Sequence, residues 1–123
     1  MLYHKHVSEP WFSLIVSGVK TCEGRLCKDD FRAIQVGDIL VFHHANATCR
    51  TRVVCLTTYD TFEEYLQEEG LDACLPGVAS IEEGVAVYHQ YYSWEEECLY
   101  GVRGIQIERL DIGLDECWST RNQ

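Results

Sequence analysis

Lys20, Glu23 and Arg25 stand within six residues of one another in Gly18-Val19-Lys20-Thr21-Cys22-Glu23-Gly24-Arg25. Lysine and glutamate exchange protons near neutral pH only where burial and neighbouring charge move their pKa values together. A lysine in a partly apolar cleft becomes a base or a nucleophile. Arginine suits a different task, because its planar fork holds a phosphate or a carboxylate. Lys20 and Glu23 are therefore the candidate catalytic pair, and all three residues are candidates for ligand binding. The plainer alternative is an ion-pair network that shapes a cleft and catalyses nothing, since charge clusters are structural as well as catalytic.

Two further groups carry chemistry. Arg50 and Arg52 occupy alternate positions of one segment, a spacing that suits phosphate contacts on a strand and equally suits a solvent-facing side. Tyr88, Tyr92 and Tyr100, with Trp94, form an aromatic set that can stack a base. The i,i+4 spacing of Tyr88 and Tyr92 also suits helix packing, and Tyr88 is expected in the core. Tyr92 and Tyr100 are retained as ligand-binding candidates. His4 and His6 would share a strand face, while His43 and His44 would fall on opposite faces, so only one of the latter pair can face the core. Two imidazoles fall short of a closed metal site. No Ser-His-Asp order, glycine-rich phosphate loop or metal motif is visible, so neither metal nor cofactor is expected.

The elements that must position these groups follow from local pattern. Residues 2–7 read as a first strand. Ser8-Glu9-Pro10 signals a helix start, with Phe12, Ile15, Val16 and Val19 as its apolar stripe and Gly18 as its end. Residues 21–26 read as a strand with Thr21, Glu23 and Arg25 on one face, leaving Lys20 free at its mouth. Residues 27–38 read as polar and turn-like. Ile39-Leu40-Val41-Phe42-His43-His44 is a buried strand, 45–47 a hairpin turn and 48–58 the return strand, with Arg50 and Arg52 opposite Val53 and Cys55. Asp60 and Thr61 start a helix with Phe62, Tyr65 and Leu66 inward, and Gly70 ends it. A loop over 71–77 precedes a second helix that Ser80 and Glu83 cap, carrying Ile81, Val85, Tyr88 and Tyr92. An acidic connection over 93–100 leads to a closing strand over 101–110, and a polar tail over 111–123 carries Trp118. Several strands around few helices predict an α+β small mixed barrel with flanking short helices.

At 123 residues the chain fits one domain. Its apolar content of 46% suits a globular core. No run approaches the ~20 apolar residues of a membrane helix. The first six residues hold no apolar core of a secretory signal, so a cytoplasmic or nuclear place is expected. Seven cysteines, an odd number without a C-x-x-C pair, argue for reduced thiols. Residues 1–55 carry seven bases against five acids, and 56–123 carry three against fifteen. A polyanion site therefore belongs on the N-terminal half.

The eight-residue stretch fits G-x-K-x-x-E-x-R and resembles the signature of the ASCH domain, a branch of the PUA-like superfamily. Val36-Gly37-Asp38-Ile39-Leu40-Val41-Phe42, Tyr59-Asp60-Thr61-Phe62 and Tyr88-His89-Gln90-Tyr91-Tyr92 leading to Tyr100-Gly101-Val102 follow in the family's order. The resemblance runs over about residues 2–110 and is to small stand-alone archaeal and bacterial members. It implies an ASCH domain over 1–110, a PUA-like β-barrel with a cleft beside the motif, and a role in binding RNA or a nucleotide. Some members are amidohydrolases on acetylated cytidine nucleosides. In them a lysine at the Lys20 position works with a threonine three residues on, where this chain has Glu23. The reading is thus an RNA- or nucleotide-binding domain, with a small amidohydrolase or a protein-interaction module as alternatives; an RNA, nucleoside or nucleotide ligand is the expected partner.

Overall fold

The computed structural model describes residues 1–110, and the tail expected over 111–123, with Trp118 and Cys117, lies outside the described residues. The first half contains strand β1 (Leu2–His6), helix α1 (Trp11–Val16), strand β2 (Cys22–Leu26), helix α2 (Asp30–Ala33) and strands β3 (Ile39–His44) and β4 (Ala47–Tyr59). The second contains helices α3 (Phe62–Glu69), α4 (Leu71–Cys74), α5 (Ile81–Tyr88) and α6 (Trp94–Tyr100), and then strand β5 (Val102–Arg109). The strands form one mixed sheet in the order β1-β3-β4-β5-β2. β1 runs parallel to β3, and the other pairs are antiparallel. The α+β class expected from the strand and helix pattern is what forms, as a five-stranded half-barrel whose outer strands are β1 and β2.

Side-chain alternation decides which groups go inside. β3 reads as a continuous apolar run, and Leu40, Val41 and Phe42 are all buried. β4 alternates instead: Cys49, Thr51 and Val53 are buried while Arg50 and Arg52 are exposed. The buried Thr51 hydroxyl donates to the Leu40 carbonyl at 2.9 Å, which removes the cost of burying it. A bulge between Val53 and Cys55 shifts the register against β5. Cys55 therefore turns outward and does not share the buried face of Val53, contrary to the simple alternation.

Among the described residues, two apolar clusters hold the sheet. One packs α1 onto the strands through Phe12, Ile15, Leu40, Phe42, Val53 and Ile105. The other joins β2 and β5 to the helical side through Cys22, Leu26, Phe62, Tyr65, Leu66, Leu75 and Tyr88. The i,i+3,i+4 spacing of Phe62, Tyr65 and Leu66 puts all three on the inner face of α3.

The caps mostly follow the sequence. Thr61 accepts from the Glu64 backbone N–H and Ser80 from that of Glu83, starting α3 and α5. Three stretches differ from expectation. The acidic segment 93–100 is helix α6, started by a full capping box in which Ser93 and Glu96 exchange hydrogen bonds. Short helices α2 and α4 replace parts of the two expected loops. Ser8 does not cap α1: its hydroxyl bonds that of Tyr91 at 2.9 Å, and Glu9 binds the Ser13 N–H and hydroxyl instead. Gly18, at φ +81, ends that turn and leaves Val19 exposed, off the apolar stripe. Tyr92 lies beyond the last turn of α5.

Candidate functional site: a cleft beside β2

β2 is an edge strand, yet both of its faces are covered. The Thr21 N–H bonds the Ala73 carbonyl, so α4 lies against the start of the strand and closes over Lys20. This corrects the expectation of a lysine free at the strand's mouth: Lys20 is 2% exposed. Its ammonium donates to the Cys22 carbonyl at 2.7 Å and to the Cys74 carbonyl, and lies 3.3 Å from Glu23 Oε1. Three acceptors match the three N–H donors of an ammonium.

Glu23 is 5% exposed and faces the same way as Arg25, as strand alternation predicts. Arg25 Nε donates to Glu23 Oε2 at 2.6 Å, and Arg25 Nη2 donates to the His6 carbonyl at 2.8 Å. Burial pushes the Glu23 carboxyl up, but the Arg25 and Lys20 charges outweigh it and hold the group below the usual carboxylate range. Glu23 is thus ionised, and the triad carries one net positive charge. Two cations locked on one carboxylate favour a fixed network over a proton relay, because no lone pair of Lys20 is left to act as a base.

Above this triad opens a cleft of about 400 Å³. One lip is His6, Val7 and Ser8, with Trp11 from α1; the other is Tyr88, Tyr91 and Tyr92. Leu75 and Val87 complete an apolar wall. The Ser8–Tyr91 hydrogen bond joins the two lips. Phe62 orders the aromatic side, with the Tyr88 ring stacked on it at 4.5 Å and the Tyr92 ring at 5.6 Å. The Tyr65 and Tyr88 hydroxyls meet at 3.2 Å, and burial pushes both phenols well above their ordinary range. Both stay neutral donors. Gly24 completes the floor: a Cβ there would stand 2.6 Å from the Tyr65 ring, so the ring packs directly on the strand backbone.

Of the residues singled out by sequence, Lys20, Glu23, Arg25 and Tyr92 come together at this cleft. Arg50 and Arg52 do not line it; they project from the outer face of β4, where Arg52 bonds Glu108 at 2.8 Å. Tyr100 lies in a separate groove with Lys28 Nζ 5.0 Å above its ring. Tyr88 is buried core, as expected, while its edge borders the cleft. Trp11, Tyr91 and Ser8 were not among the site candidates: Ser8 was read as a helix start and Tyr91 only as part of the 88–92 run, and the fold is what brings them to the cleft.

His43 and His44 are both half-buried: His43 Nε2 meets His4 Nδ1 at 2.7 Å, and His44 Nδ1 donates to the Val7 carbonyl. Among the described residues no three His, Cys, Asp or Glu side chains are placed to hold a metal ion. No helix among them is long and apolar enough to cross a membrane. Cys22, Cys27, Cys55, Cys74 and Cys98 are free thiols. Behind Lys20, Cys22 and Cys74 pack together, and their mutual hydrogen bond and burial push the Cys22 thiol up.

The family model described as "ASCH domain" matches residues 6–111. The crystal structure of hypothetical protein PH0355 is 41% identical, with a TM-score of 0.84 over 89% of this chain and 100% of that one. The solution NMR structure of protein PF0455 from Pyrococcus furiosus is 40% identical, with a TM-score of 0.76 over 90% of this chain and 99% of that one. No curated protein matches the sequence.

Proposed function

The chain belongs to the ASCH domain family, and from that premise we propose that its cleft binds a base of single-stranded RNA or of a nucleotide. The observation that carries the proposal is the pairing of an aromatic wall with a fixed cationic floor. Trp11, Tyr91 and Tyr92 line the cleft, and Arg25 offers a planar cation whose orientation Glu23 fixes. Stacking on such rings contributes about 1–3 kcal/mol per base. Fixing Arg25 before the ligand arrives lowers the entropy lost on binding.

The charge supports a small ligand or a short segment over a long duplex. The chain carries a net charge of −10, and Arg50 and Arg52 point away from the cleft. One guanidinium contact predicts a shallow salt dependence, with a logarithmic slope of about −0.7 for one phosphate on a single strand. The amidohydrolase alternative would need Lys20 to leave its two carbonyls and Glu23 before acting, and Glu23 stands at the position of that branch's threonine.

A filter-binding titration with short single-stranded RNA and with nucleoside monophosphates tests the proposal. Trp11→Ala and Tyr92→Ala are expected to weaken binding about tenfold or more. Unchanged affinity in both variants sinks it. Incubation with acylated cytidines, read as release of cytidine, separates binding from turnover.

A further inference from the structure

On another face, a groove of about 560 Å³ runs between helix α6 and the end of β4 with the turn into α3, and shares no lining residue with the cleft. We propose that it docks a basic peptide segment of a partner protein, with an apolar or aromatic side chain in the groove and Lys or Arg at its acidic rim.

The first observation is an exposed but fixed anchor. Trp94 is 65% exposed, yet one face of its indole stacks on His89 at 3.7 Å. His89 is itself held, donating from Nδ1 to the Tyr92 carbonyl, with Nε2 lying 3.1 Å from Glu97. Glu97 in turn accepts from the Phe62 backbone N–H at 2.6 Å. A tryptophan locked from behind and open in front has already lost its rotamer freedom, and such anchors dominate protein interfaces. Leu99, 73% exposed, and the exposed Tyr100 extend the patch along the same helix. Three large apolar side chains on one seven-residue helix exceed the scatter of single exposed hydrophobes on a monomer's surface.

The second observation is charge. Residues 56–110 carry twelve carboxylates against two arginines. Asp60 lines the groove, and Glu63, Glu64 and Glu95 are exposed on the two helices that flank it. Of the nearby cations, Arg103 Nη1 donates to the Thr58 hydroxyl at 2.7 Å, and Lys28 sits over the Tyr100 ring and 3.9 Å from Glu96. That lysine displays what the rim accepts, an ammonium between a ring face and a carboxylate. A polyanion meets repulsion here, and a second copy brings the same −10 charge.

Selection of a random peptide display library on the intact chain tests the proposal. Enriched peptides are expected to carry an apolar or aromatic residue with Lys or Arg on either side. As labelled synthetic peptides, they should lose about tenfold or more in affinity for Trp94→Ala and for Leu99→Asp, and several-fold for Glu95→Lys. Leu99→Asp changes a side chain already in solvent, so its loss of binding is not a loss of fold. Tyr91→Phe, in the cleft, should bind the peptides as the parent does. No enrichment, enrichment of acidic or neutral peptides, or full affinity in Leu99→Asp overturns the proposal. So does competition for the groove by single-stranded RNA, or sedimentation showing self-association that Leu99→Asp abolishes.

Discussion

Arg25 Nη2 donates to the carbonyl of His6 at 2.8 Å and so ties β2 to β1, the two strands at opposite ends of the sheet order. Among the described residues no hydrogen-bonded ladder joins those edges, and a side chain spans the gap. The same guanidinium is held from behind by Glu23 at 2.6 Å. Arg25→Lys retains the charge but not the fork, so it cannot serve both acceptors in one geometry. The expected outcome is a loss of about 1–3 kcal/mol in a urea unfolding titration, together with weaker ligand binding. A variant with parent stability would show that the bridge holds nothing.

Lys20 illustrates a buried charge whose partners are mostly backbone. Lys20→Met preserves much of the side-chain volume but leaves the Cys22 and Cys74 carbonyls without their donor. Glu23 then keeps only Arg25. Breaking a buried pair by removing one partner costs about 3–5 kcal/mol. The measurement is the midpoint of thermal unfolding, compared with Glu68→Gln, on the exposed side of α3, as a surface control. Retained stability in Lys20→Met would mean that the lysine is available for chemistry.

Much of this was legible from residue pattern, and the gaps have physical causes. The motif's alternation correctly put Glu23 and Arg25 on one face, because period-two geometry is local. The burial of Lys20 was not legible, since it depends on Ala73 and Cys74, more than fifty residues away, arriving over the strand edge. Helix α6 was legible in principle: Ser93 and Glu96 have capping-box spacing, but the run of glutamates in 95–97 masked it as a solvated link. The outward turn of Cys55 comes from a bulge, which the sequence of β4 does not mark. Trp11 and Tyr91 line the same cleft only because the fold brings α1 and the end of α5 together, and no spacing along the chain encodes that.

Acid should destabilise the fold through Glu23. Burial raises its pKa, Arg25 and Lys20 lower it more, and the net folded value lies below the ordinary one. A depressed folded pKa means that the unfolded chain takes up a proton first. The stabilisation is then present above the unfolded value of about 4.3 and fades as pH falls through the folded value. Glu23→Gln removes this dependence, so its stability relative to the parent should be worst near pH 7 and converge with it in acid. Urea midpoints measured from neutral pH down to acid check this, and a constant gap across the range would overturn it.

Gly24 makes the sharpest steric prediction. Its backbone is extended within β2, so the glycine is not there for a left-handed turn. It is there because a Cβ would stand 2.6 Å from two ring carbons of Tyr65 and 2.8 Å from its hydroxyl oxygen. Tyr65 is fully buried and packs edge-on against Phe62 and Tyr88, so it has little room to retreat. Gly24→Ala is expected to cost about 1–3 kcal/mol by overpacking and to shift the Tyr88 edge that borders the cleft. Tyr65→Leu removes the ring that the new methyl meets, at its own cost in lost burial. In the double variant the methyl should therefore cost much less than it does alone, a coupling that a double-mutant cycle reads directly. A cycle with additive costs would place the strain of Gly24→Ala somewhere other than the Tyr65 ring.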